Sequence, residues 1–302
     1  MHGLVIHLRN DVDASHVGLD KLSSGRKQQL FGAFRFLTNR GYAIVEVNRP
    51  DRSTRRRKGK SDPTDAEMAA RSVLAGVANA TPKSGGGEVE MIRMLKNTKD
   101  SAVKARTQAI NQMKALVVTA PAELRETLDG LAAGALAKRC SSFRPGQGDP
   151  TAAAKYALRS LARRHRQLGA EIQNLEAELD RLTRAVAPAL VGTFGIGPDT
   201  AATLLVTAGS NPERLHSEAA FAALCGVSPI PASSGKTNRH RLNRSGDRQA
   251  NAALYRIVVV RLRYDPRTKE YMRRRTGEGM SKTEVIRCLK RYVAREVFAG
   301  LR

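Results

Sequence analysis

The sequence has no tryptophan, and aromatic residues make up only 4% of its 302 positions. Binding of single strands by base stacking depends on exposed aromatic side chains, so their scarcity argues against stacking as the main mode of binding. Acidic residues are also in the minority, because 28 Asp and Glu face 52 Lys and Arg, which gives a formal net charge of +24. That excess predicts a polyanionic partner, duplex DNA or structured RNA, although a ribosomal-type or merely basic protein has a similar composition.

Cysteine is scarce as well, and long apolar runs are missing. Cys140, Cys225 and Cys288 lie far apart and match neither a zinc site nor a disulfide framework, which is typical of reduced thiols in a cytoplasmic protein. Without a recognisable signal peptide or an apolar run of membrane-spanning length, we predict no membrane partner. Apolar residues still make up 41% of the chain, enough for a core and for two or three domains.

The first part of the chain has the pattern of an α/β layer. A short strand is compatible with residues 4–6, and apolar residues at 31–37 can share one face of a helix that ends at Gly41. Residues 42–47 then have the composition of a buried strand, and helix, glycine and strand in this order indicate part of an α/β layer.

A basic segment at 49–60 separates this layer from a series of helices. Ser61 or Asp62 can cap a helix that runs to about Leu74, and a long helix is predicted from about residue 88 to 118 after a Gly-rich loop. Residues 139–150 resemble a linker. From Leu158 to Val186, apolar residues alternate by three and four and only His165 is polar, which predicts a coiled coil at 155–186 that joins copies of the chain. The alternative is an amphipathic helix packed on its own core.

The last domain begins near Ala187 and holds most of the positive charge. Residues 236–302 contain 19 Lys and Arg against 6 Asp and Glu, which places +13 of the +24 there. Within this domain, Gly195 and Gly197 flank one apolar residue between two predicted helices, as in a helix-hairpin-helix. Such glycines let backbone N–H groups approach a DNA phosphate, but a pair of helices used only for packing would look similar.

Two further motifs contain residue types that suit phosphate chemistry. Asp62 and Asp65 stand three apart at a helix start, so both carboxylates can face one Mg²⁺ ion, and the basic run before them would attract a phosphate backbone. Most such pairs are solvated helix starts. Ser233-Ser234-Gly235-Lys236 lies in a basic loop, where a serine can act as a nucleophile assisted by guanidinium groups or can simply contact phosphate.

Taken together, the order of these motifs resembles that of a known family. The segments VNRPDRSTRRRKGKSDPTDAEMAARSVLAG, GIGPDTAATLL and FAALCGVSPIPASSGKTNRHRLNRSGDRQANAAL, with the heptad region between the first two and the basic tail after the third, resemble insertion-sequence transposases related to the Piv site-specific invertase. The resemblance covers roughly residue 28 to the C-terminus.

The resemblance implies a fold class and a division into domains. It implies an α/β, partial ribonuclease-H-like (RuvC-like) DEDD domain at 1–120, a linker and helical coiled coil at 121–186, and a mainly α, serine-containing transposase domain at 187–302. It also implies partners: DNA, a structured guide RNA, and further copies of the chain in a homo-oligomer.

The resemblance also assigns roles to residues. Asp62 and Asp65 fit the last two of four acidic Mg²⁺ ligands, and Ser234, rather than its neighbour Ser233, fits the nucleophile that joins a DNA strand. The residues expected to contact DNA are Gly195, Gly197, Arg55, Arg56, Arg57, Lys58, Lys236, Arg239, Arg241 and Arg244.

The first two acidic ligands of the family have no counterpart at the expected places. The family's Glu should fall near Ser24, where no acid stands, and Asp11 and Asp13 do not lie in a strand that leads into the expected core. We therefore expect a recombinase that is truncated at its N-terminus and catalytically defective. The alternatives are a non-catalytic DNA- or RNA-binding protein, such as a dominant-negative partner of a full-length transposase, and a metal-dependent nuclease that does not need Ser234.

Overall fold

In its computed structural model the protein is mostly helical, with one small sheet near its start. The structure describes residues 3–7, 16–19, 36–47, 62–84, 86–232 and 240–301. Of residues 3–7, 16–19 and 62–65 it describes the backbone alone.

The small sheet has three antiparallel strands, β1 (Gly3–His7), β2 (His16–Leu19) and β3 (Val45–Val47), in the order β2-β1-β3. The strand predicted around residues 4–6 is confirmed as β1, whereas β2 was not predicted. The predicted strand at 42–47 is shorter, because Gly41 turns the chain with a φ of 82° and the N–H of Tyr42 still bonds to the carbonyl of Leu37. These strands and a following helix form the α/β layer that the sequence indicates.

The helix after the basic segment is α1 (Asp62–Leu74), which lies across all three strands. Its Ala69 packs on Val47 of β3, and both side chains are buried. The helix has the predicted bounds, since Asp62 stands at its first position and Pro63 at its second.

Two long antiparallel helices form the middle of the molecule. They are α2 (Gly87–Thr119) and α5 (Pro150–Val186), and two short helices between them, α3 (Ala122–Leu128) and α4 (Ala133–Ser141), close the far end. Of the predicted linker at 139–150, residues 142–149 are irregular, whereas 139–141 belong to α4 and Pro150 begins α5. The irregular stretch connects helices that pack together, because Cys140 before it and Leu158 after it belong to one buried cluster.

The apolar heptad positions of α5 pack against α2 of the same chain. Leu158 is fully buried beside Met113 of α2, and Leu179 at the other end lies in one cluster with Ile92. His165, half-buried between these ends, has its pKa lowered by burial and by the nearby Arg106. This is the arrangement that the sequence left open as an amphipathic helix packed on its own core.

The C-terminal part is a compact group of helices around one core. They are α6 (Pro188–Gly192), α7 (Pro198–Ala208), α8 (Glu218–Leu224), α9 (Arg248–Tyr264), α10 (Pro266–Gly277) and α11 (Lys282–Gly300), with a 3-10 turn at Pro212–Arg214 and a hairpin of β4 (Ile230–Pro231) and β5 (His240–Arg241). Phe221, Leu204 and Leu254 are among the fully buried side chains of this core.

Burial also accounts for the chemistry of two cysteines. It raises the pKa of Cys140 to about 11 and that of Cys225 to about 12, so both thiols remain protonated at neutral pH. Within the ranges that the structure describes, none of the helices combines the length and the apolar composition required to span a bilayer.

Candidate nucleic-acid interface

The predicted helix-hairpin-helix has its turn at residues 193–197, between α6 and α7. Ile196 is buried and its N–H bonds to the carbonyl of Thr193 at 3.0 Å, which closes the turn. Pro198 then begins α7, where its fixed φ suits the first helical position. We call residues 193–197 the hairpin turn.

The backbone conformation requires glycine at only one of the two glycine positions in the hairpin turn. Gly195 has a φ of +86°, and a Cβ there would lie 3.3 Å from Cγ of Arg261 and 3.5 Å from the carbonyl oxygen of Ile257. Gly197 has an ordinary φ of −85°, and a Cβ there would meet nothing within 4 Å. Within the described part of the chain no acceptor takes the N–H of either glycine. The hairpin turn therefore presents free backbone donors at the start of α7, where the helix dipole favours an anion.

Arg261 of α9 connects the hairpin turn to α11. Its Nε donates to the carbonyl of Phe194 at 2.9 Å, and its terminal nitrogen lies 2.7 Å from a carboxylate oxygen of Glu296 on α11. Sequence reasoning missed Arg261 because its partners lie 67 residues before it and 35 residues after it, and no local pattern joins them.

Asp199, in the first turn of α7, forms ion pairs with two other helices. Its carboxylate lies 2.8 Å from the ammonium of Lys99, 3.2 Å from that of Lys96 and 3.1 Å from the guanidinium of Arg256. Burial alone would raise its pKa, but the bond from Lys99 and the charge of Lys96 outweigh that effect and lower it. Asp199 is thus ionised at neutral pH and fixes the hairpin turn to α2 and α9.

The loop that carries the candidate serine, residues 233–239, lies outside the described residues, as do Ser233, Ser234, Lys236 and Arg239. The strands on either side of it are described. Ile230 pairs with Arg241 and Pro231 with His240, in the antiparallel hairpin of β4 and β5. Arg241 and Arg244, both expected to contact DNA, are exposed on the strand that leaves this loop and just beyond it.

The base of this hairpin is held by a close approach of two glycines. A Cβ on Gly226 would lie 2.2 Å from the carbonyl oxygen of Ser245, and one on Gly246 would lie 2.4 Å from the backbone nitrogen of Gly226. Asn251 of α9 donates to the carbonyl of Cys225 at 2.9 Å and accepts from Lys290 of α11 at 2.8 Å. Neither glycine contact was identified from the sequence, because each depends on a residue about 20 positions away.

The acidic pair, Asp62 and Asp65, and the basic segment at 49–60 belong to the N-terminal part of the chain. Asp62 and Asp65 occupy the first turn of α1, as predicted, but their side chains lie outside the described residues, as do Arg55, Arg56, Arg57 and Lys58.

Hydrogen bonds connect the segment just before α2 to the loop after α7. Asn211 donates to the carbonyl of Pro82 at 3.0 Å and accepts from the N–H of Ser84 at 2.9 Å. Lys83 reaches the carbonyl of Val206, and burial lowers the pKa of its ammonium. The α/β layer and the C-terminal helices are therefore tied together directly before α2.

Two family models match the chain. A DEDD transposase model of the IS110 type matches residues 2–120, and one described as Transposase IS116/IS110/IS902 family matches residues 187–273. Together they cover about two thirds of the chain, and the first includes the opening residues that the sequence resemblance left out. The protein is therefore of the class of insertion-sequence transposases. It belongs to the IS110/IS116/IS902 family.

Two curated proteins are similar to the chain. The uncharacterized 43.6 kDa protein of insertion element IS110 from Streptomyces coelicolor is 31% identical over 164 residues, which are 52% of this chain and 38% of that protein. The uncharacterized 42 kDa protein of insertion element IS900 from Mycobacterium paratuberculosis is 28% identical over 145 residues, 47% of this chain and 36% of that protein. The matched region thus spans little more than a third of each relative.

Proposed function

We propose that the protein is a DNA recombinase of an insertion sequence that holds nucleic acid at the hairpin turn and on the basic helices after it. The observation that carries this proposal is the N–H of Gly195 and of Gly197 before α7, for which the described residues offer no acceptor, inside the segment that matches a transposase model. Backbone donors at a helix start bind phosphate without regard to sequence. DNA and a structured guide RNA are the proposed ligands.

In the same proposal the chemistry is divided between the two ends of the chain. Asp62 and Asp65 would hold Mg²⁺, since hard divalent cations prefer carboxylate oxygens and a bound phosphate can complete the shell. The hydroxyl oxygen of Ser234 would attack a phosphodiester of the DNA strand and form a serine–phosphate ester, while the bond from phosphorus to one deoxyribose oxygen breaks. The serine proton would pass through solvent to that leaving oxygen, and Lys236, Arg239 and Arg241 would compensate the developing negative charge. The rigid base of the β4–β5 hairpin, fixed by Gly226 and Gly246, supports the assignment, because a nucleophile needs a positioned support.

The proposal predicts that alanine at one glycine of the hairpin turn weakens DNA binding, whereas alanine at the other lowers folding stability. Gly197→Ala fits the backbone and should cost less than about 1 kcal/mol of stability, yet its methyl group would project where a phosphate approaches and should raise the Kd for duplex DNA about fivefold. Gly195→Ala forces a side chain into a left-handed conformation beside Arg261 and should cost about 1–3 kcal/mol of folding stability. Thermal melts and fluorescence anisotropy on both variants give the comparison. Unchanged DNA binding by Gly197→Ala would remove the hairpin turn from the interface.

Assembly of several copies is also part of the proposal, and the fold limits where it can occur. The buried side of α5 is occupied by α2, so a second copy would have to contact the outer faces of these helices, where Met91, Met94 and Tyr156 are 48%, 52% and 68% exposed.

We therefore expect the double variant Met91→Glu, Met94→Glu to shift the protein towards monomer in light scattering without unfolding it, because both side chains are on the surface. Thr107→Glu, at an exposed polar position of the same helix, is the matched control and should leave the mass unchanged. A wild-type protein that is already monomeric at tens of micromolar would contradict self-association.

A further inference from the structure

A cleft of about 550 Å³ opens beside the hairpin turn. Its floor consists of the buried side chains of Val258, Leu289 and Val293, and its walls come from α9, α10 and α11. Phe194 of the hairpin turn forms part of its mouth. The volume lies within the range of pockets that hold small organic ligands.

Aromatic rings are concentrated in this cleft, although they are rare in the chain. The cleft is lined by Phe194, Tyr271 and Tyr292, three of only 7 Phe and 6 Tyr in the sequence. Tyr271 and Tyr292 meet edge to face with their centroids 5.8 Å apart. Phe194 is 56% exposed and Tyr292 is 47% exposed, so a planar ligand has direct access to both rings.

Most of the charged groups that line the cleft already have an ion-pair or hydrogen-bond partner within the protein. Glu296 is paired with Arg261, and Asp265 caps α10 by accepting from the hydroxyl and the N–H of Thr268. The outer side of α10, by contrast, carries exposed cations such as Lys269 and Arg273, for which the described residues offer no acidic partner. A cleft that is neutral inside and cationic outside suits a ligand with an uncharged planar ring and an attached phosphate.

We propose that this aromatic cleft takes up an unpaired nucleobase of a nucleic acid whose phosphate backbone crosses the hairpin turn. Phe194 directly precedes Gly195, so one loop would contact the phosphate with its backbone and the base with its ring. This inference rests on the proposed function and adds a binding mode to it: the protein distinguishes an extruded or bulged nucleotide from a fully paired one.

The test uses a DNA duplex with a single bulged 2-aminopurine and the same strand in a fully paired duplex. The wild-type protein should bind the bulged duplex about tenfold more tightly, since one stacked base contributes that order of affinity, and should change the fluorescence of the bulged base. Phe194→Ala and Tyr292→Ala should each lose most of this preference, and Tyr292→Ala, which lies outside the hairpin turn, should keep the affinity for the paired duplex. Tyr255→Ala removes a tyrosine that is also 47% exposed but lies outside the cleft, and it should retain the preference.

Tyr292→Phe keeps the ring and should also retain the preference, which separates loss of stacking from loss of fold. Equal affinity of the wild-type protein for both duplexes would refute the inference and leave the proposed function intact. A preference that survives both alanine variants would refute it too. If Tyr292→Ala changes the mass in light scattering and not the preference, the cleft holds a protein segment instead. Absence of binding to either duplex would refute both proposals.

Discussion

The affinity of the protein for duplex DNA is expected to fall about a thousandfold between roughly 50 and 200 mM monovalent salt, as for a protein that neutralises six or more phosphates. The reason is the release of counterions from each neutralised phosphate, and the net charge of +24 provides many cations for such contacts. Anisotropy titrations at several salt concentrations give the slope of log Kd against log salt. Structured RNA should show the same trend, and a flat titration would exclude phosphate contact as the source of affinity.

The structure indicates which cations should contribute to that slope. Lys269 and Arg273 are exposed on α10 one turn apart, with no acidic partner among the described residues. Replacing both with Gln should reduce the slope by about 2, because each lost phosphate contact removes about one unit.

The matched control for that double variant lies on α5, where two exposed arginines already have intrachain partners. Arg181 is 2.9 Å from a carboxylate oxygen of Glu178, and Arg184 is 2.8 Å from one of Asp180. Replacing these two with Gln removes the same charge and should leave the slope nearly unchanged. Equal effects of the two double variants would show that binding depends on net charge alone and on no particular surface.

The second large effect is expected for Ser234→Ala, which should abolish covalent attachment of the protein to DNA, including the weak attachment that a site with only Asp62 and Asp65 as carboxylate ligands would support. Loss of a nucleophile lowers such a step by at least about a thousandfold, because no neighbouring group replaces its oxygen. The measurement is a gel assay for a protein–DNA adduct formed in Mg²⁺ with DNA that carries the ends of the element. Ser233→Ala, one position earlier, is the matched control and should form the adduct at a reduced or normal rate.

Substitution of the proposed Mg²⁺ ligands Asp62 and Asp65 should also reduce the yield of adduct in this assay. Asp62→Asn and Asp65→Asn each remove one proposed carboxylate ligand and should reduce adduct formation while leaving DNA binding in the absence of Mg²⁺ unchanged. An adduct that persists in Ser234→Ala would show that another residue is the nucleophile. An adduct that forms equally well in EDTA would contradict the metal assignment.

Local sequence patterns determined the helices, and the charge of the chain led to the expectation of a polyanionic partner. The apolar spacing along α5, the possible cap and proline at the start of α1, and the glycine spacing of the hairpin turn each act over a few residues, so their positions could be predicted. The charge asymmetry of the last domain likewise follows from composition. Strand β2 was missed because its four residues have no local pattern, and its structure depends on pairing with β1.

The tertiary structure decided which of these helices and side chains contact one another. The heptad positions of α5 predict an apolar partner but not its identity, and folding places Ile92 and Met113 of the same chain against them. Arg261 joins the hairpin turn to α11, and Asp199 joins α7 to α2 and α9, over separations of 35 to 103 residues. The aromatic cleft shows the difference most clearly. The sequence contains few aromatic residues, which argues against an extended stacking surface, but only the packing of α9, α10 and α11 brings Phe194, Tyr271 and Tyr292 together.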